Sequence, residues 1–313
     1  MIVTRIEGLR DPFILVDNGV YYLYGTGAYG GGWDNTCWDC YVNDSGSLLG
    51  QWKRLERPVY QRPKDAVKQL WAPEVHKYKG DYYLLASYYS SKTEHRGSAV
   101  FKSCSPTGPF ILISDGHITP KHWDAIDATL YVDPQGQPWM VFVHEWTSTD
   151  DGVGTMVAAK LSDDLSCLIS EPVELFRADD PAWTDRQVTD GCFLYTTQAG
   201  DLRMIWSNDE PDGYCIGIAH SKNGRIDGEW VHEAAPFFKK GTVCHHDGGH
   251  GMLFTDIDGT LYLCLHSPDS PCGECLERTI LLPVCEVQRD GRTTLGIKDA
   301  VTTSTVGKAF IIC

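Results

Sequence analysis

AIDATLYVDPQGQPWMVFVHEW, residues 125–146, reads as a β-hairpin. One apolar run spans Ala128 to Val132 and another Trp139 to Val143, on either side of Asp133-Pro134-Gln135-Gly136. Pro presets φ and Gly accepts a positive φ, so this is turn chemistry with a mechanism. Asp127 stands just ahead of the first run and Glu145 just past the second. A hairpin brings its open ends together, so both carboxylates are expected at one rim of a sheet. Apolar strands that deliver acids to a shared edge suggest a site.

The same unit recurs. Asp11 leads through Asp17-Asn18-Gly19 to Val20–Tyr24, and Glu74 leads through Lys79-Gly80-Asp81 to Tyr82–Ser87. Asp190 leads through Gln198-Ala199-Gly200 to Leu202–Trp206, and His250 through Asp256–Gly259 to Leu261–Leu265. The leading polar residues 11, 74, 127, 190 and 250 are spaced 53 to 63 residues apart. A third run follows each middle hairpin (Ser98–Phe101, Gly154–Ala159, Tyr214–Ala219), then a turn and a fourth run such as Pro172–Phe176. Helical periodicity is almost absent. Five units of about four antiparallel strands predict an all-β, five-bladed β-propeller, one domain over residues 1–313. The five leading residues are then expected to ring one mouth of the central channel.

Composition fits a site for a neutral ligand. The chain carries 42 Asp plus Glu against 27 Lys plus Arg, a formal charge of −15, which argues against nucleic acid and anionic membrane as partners. Ten Trp and fifteen Tyr supply flat faces of the kind that stack on sugar rings, although most such residues serve cores. The first residues, MIVTRIEGLRDPF, contain no apolar leader, so a cytoplasmic location is expected. Reduced thiols are then expected for the twelve Cys, including the two C-x-x-C pairs Cys37/Cys40 and Cys272/Cys275.

RDPF at 10–13, WAPEV at 71–75, the Asp127 unit, TDG at 189–191 and GGHGMLF at 248–254 occur in order at blade spacing. In these pieces the chain resembles glycoside hydrolase family 43, five-bladed propellers that cut arabinose- and xylose-containing glycans. The likeness runs from about residue 9 to about 285, and it leaves no room for an accessory β-sandwich; residues beyond Pro283 are expected to complete or brace the last blade. The resemblance implies an inverting, exo-acting hydrolase that releases terminal α-L-arabinofuranosyl or β-D-xylosyl units. Alternatives are an endo-arabinanase or galactan-active hydrolase of the same family, and a non-catalytic sugar-binding propeller. A protein-interaction propeller would lack convergent acids at one rim.

Inverting hydrolysis needs a carboxylate to deprotonate water and a carboxylic acid to protonate the leaving oxygen, roughly 6.5–9.5 Å apart. By resemblance Asp11 is the base, Asp127 the carboxylate that raises the acid's pKa, and Asp190 the acid. Asp190 stands where the family has Glu, with Cys192 in place of the usual Pro. One methylene shortens its reach by about 1.5 Å, a displacement that matters to catalysis. Glu145 or Glu74 therefore remains open as the acid, and so does loss of hydrolysis. The resemblance also implies one Ca2+ or Na+ in the channel at His250, although a single His is weak evidence for a hard cation; a His hydrogen-bonded to the central carboxylates is the competing reading. Trp71, Trp123, Trp146 and Trp33 are candidate sugar-stacking residues, and Glu74 and Glu145 candidate hydroxyl ligands. Trp139 and Trp206, inside predicted strands, read as core. Gly25–Gly32 opens no helix, so it reads as a rim loop and not as a phosphate cradle.

Overall fold

The computed structural model describes residues 1–27, 32–243, 245–268, 277–289, 291–298 and 310–311. Five antiparallel sheets follow one another around an axis, as the repeat predicts. Blade one comprises Leu9–Asp17, Val20–Gly27, Trp38–Asn43 and Lys53–Arg54, and blade two Ala66–Tyr78, Asp81–Ser90, Arg96–Ser103 and Ile111–Leu112. Blade three comprises Ala125–Val132, Pro138–His144, Thr155–Lys160 and Val173–Arg177, and blade four Asp190–Thr196, Leu202–Glu210, Gly213–Ser221 and Trp230–His232. Blade five takes Gly249–Thr255, Leu261–Ser267 and Arg278–Arg289 from the C-terminal part. Its fourth strand is Ile2–Glu7 from the other end of the chain, with Ile2 opposite Leu281 and Val3 opposite Ile280. Of the two roles expected for residues beyond Pro283, completing or bracing this blade, the first is corrected here. They form a hairpin with Arg292–Ile297 beyond the blade, while the N-terminal strand closes the ring.

Turn chemistry sets each hairpin. In the 125–146 unit the Asp133 carboxylate accepts the N–H groups of Gln135 and Gln137, both at 2.9 Å, and Gly136 takes φ 83°. The core lies between blades. Tyr83, Leu85 and Val100 of blade two meet Met140, Phe142 and Val157 of blade three. Trp139 and Trp206 are buried between blades three and four, as the sequence predicts. The eight described cysteines are free; Cys37 is half-buried and Cys40 buried, and the Cys272/Cys275 pair lies outside the described residues.

One irregularity repeats in all five blades. In blade one Arg10 faces Thr26 and Phe13 faces Tyr24, so Asp11 and Pro12 together oppose the single residue Gly25. That is a β-bulge. The same break in register falls between Trp71 and Glu74, Ile126 and Thr129, Asp190 and Phe193, and Gly249 and Met252. The first bulged residue is left-handed every time: Asp11 φ 50°, Ala72 φ 46°, Asp127 φ 57°, Gly191 φ 33° and His250 φ 46°.

A bulge leaves its N–H outside the ladder, and a buried N–H needs a partner. Each finds one on the preceding blade. Thr26 Oγ1 accepts from Ala72 at 2.8 Å, Ser87 Oγ from Asp127 at 3.0 Å, and Ser207 Oγ from His250 at 2.8 Å. His266 Nδ1 accepts from Asp11 at 3.2 Å, and Asp127 Oδ2 from Gly191 at 3.0 Å. Ser87→Ala would strip the Asp127 N–H of its partner and is expected to cost about 1–3 kcal/mol in urea unfolding. An unchanged midpoint would show that the bulge N–H does not depend on that hydroxyl.

Candidate active site

The bulges sort the inner strands into stacked rings. Arg10, Trp71, Ile126, Asp190 and Gly249, the residues just ahead of each bulge, form the outer ring at the mouth. Asp11, Ala72, Asp127, Gly191 and His250 form the ring beneath. The expectation that 11, 74, 127, 190 and 250 are equivalent is thus corrected at two places. Glu74 belongs one ring deeper, level with Phe13 and Thr129, and Asp190 one residue nearer the mouth. The extra residue in each bulge breaks the simple alternation that the sequence reading assumed.

Asp11, Asp127, Glu145, Trp146, Trp71, Trp33 and Asp190 line one cavity of about 260 Å3 at this mouth, with Arg10, Thr26, Tyr214 and His250. The two ends of the 125–146 hairpin do meet at one rim. Glu74 and Trp123, taken from the sequence as substrate ligands, are not among its walls. Glu74 is buried, hydrogen-bonded to His76 Nε2 at 2.8 Å. Trp123 stacks on His144 with centroids 3.8 Å apart. Trp33 is 69% exposed in a 3-10 turn, Gly32–Asp34, beside residues of the glycine-rich loop that lie outside the described set. The Arg10 guanidinium sits 5.0 Å over its ring, and Trp71 Nε1 donates to its carbonyl at 3.1 Å.

Charge is graded across the cavity. Asp11 Oδ2 accepts from Thr26 Oγ1 at 2.6 Å, while Oδ1 lies 3.3 Å from His250 Nδ1. Burial pushes the Asp11 carboxyl upward, but His250, Arg10 and the Thr26 hydrogen bond outweigh it and hold it below the ordinary carboxylate range. His266 Nδ1, 3.6 Å from Asp11 Oδ1, already accepts the Asp11 N–H, so its proton sits on Nε2 and the pair is not an ion pair. Burial and the neighbouring Arg10 hold the His266 ring neutral, in agreement with that tautomer.

Asp190 is the opposite case. Burial first, then the charges of Asp127, Glu145 and Asp11, raise its carboxyl well above the usual range, against a hydrogen bond that Tyr214 OH donates to Oδ2 at 3.1 Å. Asp127 is raised by burial and by Asp11 and Glu74, with His250 and the Gly191 N–H opposing. Glu145 is pushed up to about 7, chiefly by burial, although Arg96 Nε donates to Oε2 at 2.7 Å. Arg96 also reaches Gln69 and Thr147 and lies 5.7 Å over Trp71.

Glycine is required at 191: besides its φ, a Cβ there would come within 2.5 Å of the His250 ring. Cys192 beneath it donates weakly to the carbonyls of Asp127 at 3.5 Å and Val141 at 3.6 Å. His250 Nδ1 faces both Asp11 and Asp127, the latter at 3.6 Å. Among the described residues no group of three or more His, Cys, Asp or Glu side chains is arranged to hold a metal ion. One imidazole turned to carboxylates already engaged by Thr26 and Gly191 does not fit a hard cation, which takes an oxygen cage.

Sequence reasoning missed Tyr214, Thr26, His266, Arg96 and Arg10. The first four lie on second or third strands, and no local pattern marks them. Arg10 was legible only as part of RDPF.

The family model for glycosyl hydrolases family 43 matches residues 6–293. The endo-arabinase of Bacteroides thetaiotaomicron is similar at 33% identity and TM-score 0.77, over 92% of this chain and 97% of that one. The endo-1,4-beta-xylanase of the same organism is 25% identical with TM-score 0.74, over 93% and 95%. A curated relative, the extracellular exo-alpha-(1->5)-L-arabinofuranosidase ArbA of Cellvibrio japonicus, is 27% identical over 169 residues. That match takes in 50% of this chain and 45% of the relative, so the chain spans less than half of that relative's length. The relative is extracellular, which overturns the cytoplasmic expectation. That expectation rested on the first residues alone, and they do not report on a leader.

Glu145 provides a test within the site. Its folded-state carboxyl, raised from 4.5 to about 7, favours the folded state fully below pH 4.5, and that contribution is lost as pH rises through 7. Glu145→Gln removes the dependence. Its stability relative to the parent is expected to improve by up to about 3 kcal/mol between pH 4.5 and pH 8 in urea unfolding. A difference that is flat with pH would place the Glu145 carboxyl in the ordinary range.

Proposed function

The chain belongs to glycosyl hydrolases family 43, and on that premise we propose that it hydrolyses glycosidic bonds with inversion, releasing terminal α-L-arabinofuranosyl or β-D-xylosyl units. The observation that carries this reading is the charge grading: two acids of one cavity, Asp11 and Asp190, are driven in opposite directions. Pairs of carboxyls whose surroundings push their pKa values apart are how acid and base roles are divided at one pH.

In this reading Asp11, kept ionised, takes a proton from water as the water attacks the anomeric carbon. Asp190, kept protonated, gives its proton to the departing oxygen. Tyr214 donates to Asp190 Oδ2, which leaves Oδ1 as the oxygen that carries the proton. Asp127 stays close as the charge that keeps the Asp190 proton on. Glu145 is the poorer acid because the Arg96 guanidinium holds its Oε2. Trp33, Trp71 and Trp146 supply the aromatic walls against which a pentose ring stacks.

A second reading, endo action, is favoured by an adjoining cavity of about 390 Å3 that shares Arg10, Trp33, Trp146, Asp190 and Tyr214 with the first. A chain crossing both would be cut internally. Linear arabinan separates the two: monosaccharide alone from the earliest times supports exo action, and a ladder of oligosaccharides supports endo action.

Hydrolysis of aryl α-L-arabinofuranosides and β-D-xylosides, with proton NMR of the first anomer released, tests the reaction itself; a retained anomer would end the inverting scheme. Asp11→Asn is expected to lower kcat by about 10²–10⁴-fold with every leaving group. Asp190→Asn should lose a similar factor, about 10²–10⁴-fold, on alkyl or sugar leaving groups and far less on dinitrophenol, which departs without a proton. Loss of activity in Glu145→Gln with Asp190→Asn still active would move the acid to Glu145. Tyr214→Phe removes the hydrogen bond that holds the Asp190 pKa down, so the alkaline limb of kcat/KM should move to higher pH. A limb that stays in place would detach Tyr214 from the acid.

A further inference from the structure

A second polar cluster lies on blade four, away from the mouth. Tyr195, Arg203 and His220 are directly opposite one another on three neighbouring strands, so their side chains share one face. Tyr195 is five residues beyond Asp190 on the innermost strand, about 16 Å further from the mouth at strand rise. The row faces the hairpin of Arg278–Arg289 and Arg292–Ile297, which packs against blade four through Thr294, a hydrogen-bond donor to Glu233.

Each member of the row has a buried polar atom without a hydrogen-bond partner: Tyr195 OH, Arg203 Nε and His220 Nδ1. Arg203 is 3% exposed, and its nearest carboxylates stand off at 3.8 Å (Asp201) and 3.9 Å (Glu233). A buried guanidinium N–H left without a hydrogen bond is costly, because its lost hydration is not replaced. Arg203, His220 and Arg292 line two adjoining cavities of about 400 and 300 Å3, with Arg289 at the edge of the larger. Among the residues that line the two cavities, Arg203, Arg289, Arg292 and Lys222 outnumber Asp201 and Glu233, on a chain whose formal charge is −15. Glu286, near Tyr195, is engaged by the Gln198 N–H at 2.8 Å. Burial and the proximity of Arg203 and Arg292 both disfavour a proton on His220, as expected for a ring facing into a cationic pocket.

We propose that this cavity binds a small oxyanion-bearing ligand, its carboxylate or phosphate oxygens seated on Arg203 with His220, and covered by Arg292. A planar guanidinium with free N–H groups is the donor best matched to two oxygens of one anion. The site is separate from the hydrolytic cavity and does not rest on the proposed reaction. The cavity is larger than bare phosphate needs, so a sugar acid is one source of the anion and free phosphate the other.

Isothermal titration calorimetry with D-galacturonate, inorganic phosphate and D-galactose tests it. Binding of either acid, but not of galactose, is expected. Arg203→Met should weaken it about tenfold or more, the size of a lost charge-assisted contact. Arg292→Gln, at an exposed rim position, should weaken it several-fold and carries the test where Arg203→Met does not fold. Aryl-glycoside turnover should be unchanged in both variants, so a failure here is distinguishable from a failure of the hydrolase reading. Galacturonate binding alone identifies a sugar-acid site, and phosphate binding alone a free-anion site. No binding of either acid, equal binding of galactose, or binding unaltered in both variants would overturn the proposal.

Discussion

Five left-handed bulges at one depth organise this molecule. Four of them are made by residues other than glycine, each in a backbone region that costs an L-residue roughly 1–2 kcal/mol. What holds them there is the hydrogen bond each bulge N–H makes to the preceding blade, so the strain of one blade is secured by its neighbour. The geometry also turns side chains that would follow strand alternation into the channel. Asp11, Asp127 and His250 converge because the backbone beneath them is bent in the same way, although they come from blades one, three and five.

That convergence makes the electrostatics possible. Carboxylates brought together in a buried mouth cannot all be ionised, and the surroundings decide which ones are. Asp11 has His250, Arg10 and the Thr26 hydroxyl beside it; Asp190 has Asp127 and Glu145 and one tyrosine. The same burial that raises both is overcome only where cations and donors are near. Asp190 also sits in the outer ring, one residue ahead of its bulge. The shorter side chain therefore starts from the level of Trp71, nearer the mouth than Asp11.

The blades were legible because alternation, turn residues and spacing are local. Asp133-Pro134-Gln135-Gly136 specified its hairpin, and Trp139 and Trp206 their places in the core. Ring membership was misread at Glu74 and Asp190 because a bulge has no strong sequence signature. A weaker one was present: Pro12, Pro73, Ala128, Cys192 and Gly251 all occupy the second bulged position, and Pro tolerates an N–H that the ladder does not use. Alignment of the five units on those small or N–H-free residues places Ala72, not Glu74, beside Asp11. Tyr214, His266 and the blade-four arginine row depend on contacts between strands far apart in sequence. Closure of the ring by Ile2–Glu7 was invisible for the same reason.

Blade three is the exception that ties structure to chemistry. Thr26, Ser87, Ser207 and His266, at matching positions on the second strands, each accept a bulge N–H; the matching residue in blade three is Val143, which accepts nothing. The Gly191 N–H turns to the Asp127 carboxylate itself. Asp127 thereby positions the backbone that immediately follows Asp190 while its charge holds the Asp190 proton on. Geometry and charge at the proposed acid are thus set by a single side chain. A hydroxyl at 143 would satisfy the backbone and free Asp127 to move away, and the charge that raises Asp190 would move with it. An apolar residue at 143 is what obliges the carboxylate to stay.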